Sequence, residues 1–326
     1  MDSVRTERLI VDGYDEVYRL EIGGAVAFVA LHAVLAGRSF GGIRIRQYST
    51  EADALGDALA LSRAMSRKVV LAGIRGGGGK SVIMEPGVGV DRAASVRALG
   101  LFIEELGGRY CCGPDMGFTR ADDDALRSAT QYVACEGMSA ATAQGVLTAM
   151  RHVAGPVERV AIQGLGAVGQ PLAEILSDSG VDVVACDVRP VTDFEAVPAA
   201  DIFDVECDVF APCAVGGVLN ATTIPRLRCR LVCGGANNPV ATDEDVIRLH
   251  ERGIQYVPDI ISNAGATVVG ASTALKEPHL IEARLAAIGP LAEEVCRKAT
   301  EAGLPSHEVA LQIADDRIHE LRAEGL

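Results

Sequence analysis

Apolar positions along the chain fall into two regimes, with the change near Ser139. In the first, Ala25 to Val34 is an apolar run of strand character. Thr50 then opens a helix to about Arg67, with Asp53 three residues on where a capping-box partner belongs. Ala54, Leu55, Ala58, Leu61 and Met65 recur at helical spacing and mark its core face; Met65, a turn before Lys68, could equally line a pocket. Val69 to Ala72 and Ser81 to Met84 predict short strands on either side of four glycines, Gly76 to Gly79, whose backbone is expected to be closely approached. Helices are predicted from Arg92 to Leu106 and from Ala121 to about Tyr132. Between them runs Tyr-Cys-Cys-Gly-Pro-Asp-Met-Gly-Phe-Thr, turn-rich and almost uncharged. Its one acid, Asp115, is either a turn-former or a working group.

From Ser139 onward strands and helices alternate in the manner that builds a parallel sheet. A helix is predicted over 142–153, then strand 158–163, Gly-Leu-Gly-Ala-Val-Gly at 164–169, helix 168–179 and strand 181–186, which ends at Asp187. Strands follow at 207–211, 229–233 and 254–257, with a helix at 242–252, and the tail carries amphipathic helices over 281–302 and 305–323.

With 326 residues there is room for two domains of ordinary size, each able to bury a core. A net charge of −14 repels phosphate backbones and anionic lipid, so neither nucleic acid nor a membrane is an expected partner, and a small-molecule enzyme is favoured. Met1 to Val17 mixes acids with arginines and lacks a basic region followed by an apolar one, so no secretory signal is expected. Nine cysteines without paired spacing suggest reduced thiols in a cytoplasm, and the six histidines fall at no metal-ligand spacing, so no metal is expected.

Gly164, Gly166 and Gly169 follow a predicted strand and open a helix, and Asp187 ends the next strand. That context makes the glycine pattern a dinucleotide-binding turn of the Rossmann type. Gly164 gives the tight turn, Gly166 admits the pyrophosphate and Gly169 lets helix pack on strand; the helix amides hold the phosphates. Asp187 would accept the adenosine ribose diol and favour NAD, while Arg189 keeps NADP open.

The chain contains four lysines, and two of them, Lys68 and Lys80, bracket the Val69 to Gly79 segment. Arginine does not deprotonate near neutral pH, whereas a desolvated lysine can serve as a base. A second ammonium in the same pocket lowers it further. The alternative is a solvated helix end followed by a turn.

These features converge on one family. The chain resembles the Glu/Leu/Phe/Val dehydrogenases, amino-acid oxidative deaminases, and is most similar to the leucine, valine and phenylalanine branch. The matching stretches are Gly-Gly-Ile-Arg at 41–44, Asp57 to Lys68 with its Ala-Met-Ser-Arg-Lys end, Gly-Gly-Gly-Lys at 77–80, Pro-Asp-Met-Gly at 114–117 and Thr-Ala-Gln-Gly-Val at 142–146. Further on come the glycine turn, Cys-Asp-Val-Phe-Ala-Pro-Cys-Ala at 207–214, Gly-Gly-Ala-Asn-Asn at 234–238 and Pro-Asp-Ile-Ile-Ser-Asn-Ala-Gly at 258–265.

The resemblance implies an α/β chain of two domains. The first, 1–138 with a returning C-terminal helix in 303–326, binds substrate and dimerises; the second, 139–302, is a Rossmann NAD domain. It implies that Lys68 holds the substrate carboxylate, Lys80 activates water, Asp115 shuttles protons to the amino group, and Phe40, Gly41, Gly42, Met65 and Asn263 line the substrate. Cofactor contacts would come from Gly164, Leu165, Gly166, Ala167, Val168, Gly169, Asp187, Val188 and Arg189. Thr142, Ala211, Pro212, Cys213, Ala236, Asn237, Asn238 and Asn263 would complete them. For Thr142 and the two asparagines, a capping threonine and a polar turn remain alternatives.

Phe40 stands where the glutamate branch carries a lysine, so an apolar amino acid is the expected substrate, unless Phe40 is merely core. The chain departs from the family in a short 187–201 segment, in Ala266 where a second glycine is common, and in Arg75, which could restore polar specificity. The expected partners are an amino acid, its 2-oxo acid and ammonia, with a homodimer or larger homo-oligomer as the assembly. A catalytically silent NAD-binding regulator on the same fold is the competing reading; its signature would be loss of Lys80 or Asp115, and both are present.

Overall fold

The computed structural model describes residues 4–85, 87, 89–134 and 138–325. The chain divides into two compact units, one of residues 1–136, 270–278 and 314–326 and the other of residues 137–269 and 279–313.

The first unit is built on a mixed six-stranded sheet. Its strands are β1 (Arg5–Leu9), β2 (Glu16–Ile22), β3 (Ala25–Leu31), β4 (Ser39–Arg46), β5 (Gly77–Met84) and β6 (Tyr110–Cys111), in spatial order β1-β2-β3-β5-β4-β6. The first three and β5 pair antiparallel, whereas β4 runs parallel to both β5 and β6. Strand alternation sorts the residues to two faces. Ala27, Val29, Leu31, Ile43, Ile45 and Ile83 meet the buried face of α2 (Arg92–Glu105), through Val96, Leu99, Phe102 and Ile103, with Leu126 of α3 (Arg120–Arg127) joining the same core. Phe28, Ala30 and Val82 point the other way, onto Ala54 and Ala58 of α1 (Glu51–Leu71). α1 starts as its sequence predicts, with Thr50 and Asp53 forming a reciprocal capping box.

One sequence expectation is overturned here. Val69 to Ala72 is no strand: residues 69–71 are the last turn of α1 and Ala72 is its C-cap. The β-branched pair Val69 and Val70 is buried because the helix end is buried, and a short apolar run does not distinguish that from a strand. The strand begins inside the glycine run, at Gly77. The close approach that the glycines permit is made by the protein itself. A Cβ on Gly78 would sit 2.0 Å from the Ser66 amide nitrogen of α1, one on Gly77 1.7 Å from the Ala33 carbonyl oxygen, and one on Gly41 1.7 Å from that of Gly79. The Gly78 amide donates to Ser66 Oγ at 2.8 Å, which fastens helix to strand.

The second unit opens with α4 (Ser139–Ala154) and carries an all-parallel sheet. β7 (Arg159–Gln163), α5 (Gly169–Asp178), β8 (Asp182–Cys186), β9 (Glu195–Ala196), β10 (Val209–Pro212), β11 (Leu231–Val232), α6 (Asp243–Glu251) and β12 (Gln255–Tyr256) follow in sequence, with strand order β12-β11-β10-β7-β8-β9. The chain winds outward from β7 through β8 and β9, then restarts beside β7 at β10, so the topological switch point lies between β7 and β10. No α-helix separates β8 from β9 among the described residues, in keeping with the short 187–201 segment.

Four helices complete the chain: α7 (Asp259–Ser262), α8 (Gly265–Ala274), α9 (Ile281–Ala302) and α10 (Ser306–Ala323). The sequence reading did not anticipate α7 and α8. Within the first unit the end of α10 is clamped by ion pairs: Asp315 receives both Arg67 Nε and Nη2 at 2.8 Å, and Arg322 reaches Asp15 at 3.1 Å and the His32 carbonyl at 3.0 Å. Among the described residues no helix is long and apolar enough to cross a membrane.

The α1–β5 contact yields a paired prediction. Gly78→Ala forces a methyl group into the α1 backbone and should cost about 3 kcal/mol. Gly56→Ala, in the exposed middle of α1 with nothing within 4 Å of the added Cβ, should gain about 0.5–1 kcal/mol from helix propensity. Urea unfolding of both variants checks this; equal midpoints would mean that the helix does not close on the strand.

Candidate active site

Parity along the strands fixes what surrounds Lys80. Gly78, Lys80 and Val82 share the α1 face of β5, and Phe40, Gly42 and Arg44 share it on the neighbouring β4, where Gly42 pairs with Lys80. Lys80 is 5% exposed, and its Nζ donates to Asp115 Oδ2 at 2.7 Å. Asp115 sits in the turn after β6, whose Phe118 amide donates to the Asp115 carbonyl at 3.1 Å and whose Gly117 has a positive φ. Gly42 leaves room for the pair: a Cβ there would lie 3.1 Å from both Lys80 Nζ and Asp115 Cβ. The same Asp115 oxygen also receives Arg44 Nε at 3.0 Å.

Burial pushes the Lys80 ammonium below its usual range; Asp115 opposes this and the Arg44 charge adds to it. Burial by itself would raise Asp115, yet the Lys80 and Arg44 charges outweigh it and hold the carboxyl below the ordinary carboxylate range. The site therefore holds a carboxylate beside an amine whose charge is costly.

Of the other residues expected at the substrate, all but Asn263 lie on the same unit. Met65 and Lys68 are half-buried on the last turns of α1, on either side of the Ser66 that docks on Gly78. Phe40 is buried, and its ring would lie 2.5 Å from a Cβ on Gly76. Gly41 packs directly on Gly79. Arg75 points away from this group: its side chain is 64% exposed and reaches Glu324 at 3.6 Å. What the sequence reading missed is Arg44 and its support, Asp57 of α1 and Tyr48. The signal was strand parity, since Arg44 is two residues from Gly42 and so shares the Lys80 face.

On the second unit the dinucleotide motif closes at the switch point. Gly164 has φ +95°, and a Cβ there would meet Ala214 at 2.7 Å. A Cβ on Gly169 would lie 1.9 Å from the Gly164 carbonyl oxygen, whereas Gly166 faces open space. α5 begins without a side-chain cap at Val168; Gln170 donates its amide to Gly166 O at 3.1 Å and Pro171 has no N–H, so within the first turn the Gly169 amide is the one offered to an anion. Ala211 and Pro212 end β10, Cys213 follows, and the segment interlocks with the turn after β11. The Ala236 amide donates to Pro212 O at 2.9 Å, and a Cβ on Gly235 would meet Val168 at 2.5 Å.

Beside the glycine turn is a cavity of about 560 Å³ lined by Leu165, Gly166, Ala167, Asp187, Arg189 and Phe194 among others. Val188 lies fully exposed next to it. Asp187 Oδ2 accepts the Leu165 amide at 2.7 Å, and Oδ1 accepts the Arg189 amide at 2.9 Å and Nε at 3.2 Å. These two backbone amides hold the Asp187 carboxyl below its usual range. Three of its four lone-pair positions are used, and one on Oδ2 stays open to a hydroxyl.

Thr142 lies inside the first turn of α4 and is not its cap; its hydroxyl donates to Met138 O at 3.3 Å and accepts the Ala266 amide at 3.2 Å. Asn238 is exposed at a left-handed turn position, φ 47°, with its amide on buried Asp259 at 3.0 Å. Asn263 is 5% exposed; its Nδ2 donates to Asn237 Oδ1 at 2.9 Å, while its buried Oδ1 has no hydrogen-bond partner among the described residues. A buried orphan acceptor and a glycine-cleared anion cradle both fit a nicotinamide dinucleotide.

Residues 19–132 match the profile of the Glu/Leu/Phe/Val dehydrogenase dimerisation domain, and residues 187–277 that of Glutamate/Leucine/Phenylalanine/Valine dehydrogenase. The chain is 34% identical to a leucine dehydrogenase of Thermoactinomyces intermedius, with 92% of this chain and 88% of the relative covered. A valine dehydrogenase of Streptomyces albus is 35% identical over 92% of this chain and 90% of its own length. Among solved structures, an L-tryptophan dehydrogenase from Nostoc punctiforme superposes with a TM-score of 0.85 at 30% identity, covering 95% of this chain and 97% of that one. Such likeness in sequence and fold defines an amino-acid dehydrogenase, an oxidoreductase dependent on a nicotinamide dinucleotide. The chain belongs to the Glu/Leu/Phe/Val dehydrogenase family.

Proposed function

We propose that the protein oxidatively deaminates an L-amino acid with an apolar side chain, using NAD, and runs the reverse reductive amination. The observation that carries this reading is the buried Lys80–Asp115 pair, 2.7 Å apart beside Gly42. A nicotinamide dinucleotide bound to the second unit would supply the hydride acceptor, and loss of hydride from the substrate Cα converts the amine to an imine. Lys68 holds the α-carboxylate. Lys80, its ammonium disfavoured by burial, takes a proton from the water that adds to the imino carbon. Asp115 takes a proton from the substrate ammonium before the hydride leaves and returns it to the amino group after water has added; the C–N bond then breaks as the carbinolamine hydroxyl loses its proton, and the products are the 2-oxo acid and ammonia. On the second unit Gly164 to Gly169 would hold its pyrophosphate and Asp187 its ribose, and Asn263 Oδ1 would accept an N–H from it.

Phe40, buried on the same strand face as Gly42, makes a site that an anionic side chain would enter unpaired, which favours leucine-like, valine-like or aromatic substrates. The leucine, valine and tryptophan dehydrogenases it is similar to support the same class. A homodimer or larger homo-oligomer, in the cytoplasm, completes the proposal, with the matched dimerisation domain as its support.

Lys80→Ala should abolish turnover while NAD binding, measured by fluorescence titration, persists, because the base and the dinucleotide turn lie on different units. Near-normal kcat in the folded variant would remove the assignment. Lys68→Ala should chiefly raise KM for the amino acid; an unchanged KM with lowered kcat would move that lysine into the chemistry.

For the cofactor, NAD should exceed NADP in kcat/KM by at least about tenfold, since a 2′-phosphate would face the Asp187 carboxylate. Parallel assays with both cofactors decide it. Equal efficiency would mean that Arg189, whose side chain is 70% exposed, swings off Asp187 to take the phosphate.

A further inference from the structure

We propose that Arg44 is a positioning residue for the reaction: it fixes the Asp115 carboxylate against Lys80, and is itself held by Asp57 and Tyr48. The inference rests on the catalytic roles proposed for Lys80 and Asp115. It begins with a geometry that strand pairing imposes. Arg44 sits two residues beyond Gly42 on β4, so its side chain emerges on the α1 face beside Lys80. Its Nε reaches Asp115 Oδ2 at 3.0 Å, the oxygen that Lys80 Nζ occupies at 2.7 Å. Its Nη1 reaches Asp57 Oδ1 at 3.3 Å and Oδ2 at 3.0 Å, and the Tyr48 hydroxyl donates to that Asp57 Oδ2 at 2.5 Å.

A planar guanidinium with donors in fixed directions is suited to join two carboxylates at a set spacing. One end is anchored on α1, a helix packed hard against β5, and the other holds the acid side chain on a turn whose backbone is tied to β4 by the Ile43 amide on Gly113 O at 2.8 Å and the Ile45 amide on Met116 O at 3.0 Å. A carboxylate positioned by one lysine alone could rotate about χ1 and χ2; two cations on one oxygen remove that freedom. The same arrangement bears on protons. Arg44 stays charged at every working pH, so it disfavours a second positive charge on Lys80, while Asp57 works in the opposite sense.

The ionisable groups around Lys80 are few. Asp115 comes from the turn after β6, Arg44 from β4 and Asp57 from α1, with Tyr48 behind Asp57 and Lys68 further along α1. The other neighbouring strand, β3, sets Ala30 opposite Lys80. Beyond its end lies His32, which burial and the Arg63, Arg322 and Arg67 charges take down to about 4, so that it is neutral in any ordinary assay.

The test compares pH profiles of kcat/KM for the wild type, Arg44→Gln, Arg44→Lys and Asp57→Asn, with Lys80→Ala beside them and NAD affinity measured throughout. In Arg44→Gln the rising limb should move up by about one pH unit or more, because Lys80 loses a repelling charge, and kcat should fall about a hundredfold as Asp115 loosens. Arg44→Lys keeps the charge, so its limb should stay in place while kcat falls less. Asp57→Asn removes an attracting charge and should move the limb down. NAD affinity should stay at the wild-type value in all of them.

Limb shifts of opposite sign in Arg44→Gln and Asp57→Asn are not produced by a merely structural role, and Asp57→Asn with Arg44→Lys carries the test if Arg44→Gln does not fold. Unshifted limbs, or shifts of one sign, with Lys80→Ala inactive, would overturn the Arg44 proposal alone. An active Lys80→Ala would instead overturn the catalytic reading beneath it.

Discussion

The whole first unit of the molecule depends on how closely α1 lies on β5. Helix and strand meet at Gly78, where any side chain would collide with the helix backbone, and Ser66 Oγ ties that contact with the Gly78 amide at 2.8 Å. Two residues along the strand, on the same face, this proximity takes Lys80 out of water. An amine so placed is expensive to keep charged, and the structure answers with a carboxylate at 2.7 Å and not with solvent. The lysine–aspartate pair is thus a consequence of backbone packing made possible by glycine, with the polar chemistry set inside it.

The second unit solves a different problem by related means. There the glycines at 164 and 169 let strand, turn and helix approach one another, while Gly166 is left facing open space. Asp187 then spends most of its hydrogen-bonding capacity on the protein, fastening the turn through the Leu165 and Arg189 amides. Its charge is retained at the point where a ribose would sit, and its neighbour Arg189 supplies the opposite charge on the same edge. On the function proposed above, cofactor choice would be a contest between two residues that already touch.

Much of this was legible in the sequence, though unevenly. The glycine turn with its following acid, the parallel alternation after Ser139 and the Thr50 capping box all have local signatures, whereas Lys80 and Asp115, 35 residues apart, were brought together only by the family resemblance. Val69 and Val70 misled because a buried helix end and a buried strand look alike over four apolar residues. The close approach expected at the glycine run is there, and what approaches is the protein's own helix, against a strand that begins at Gly77. Arg44 was hidden for a different reason. Its role depends on β4 lying beside β5 in register, a long-range pairing that no local pattern reveals, although parity would have placed it once that pairing was known. Arg75 was suspected at the substrate from its position near the glycines, and one residue of turn sends it outward to Glu324.

The central claim is that packing of α1 on β5 turns Lys80 into a base, and the chain is unusually suited to testing it because it has four lysines. NMR titration of protein labelled at the lysine side chains, with the Lys80 resonance assigned from Lys80→Arg, reads the amine directly. The account predicts that Lys80 titrates below the ordinary lysine value of 10.5, since burial outweighs the attraction of Asp115. A midpoint at or above 10.5 would contradict it, showing an ammonium held by its ion pair and unable to accept a proton from water.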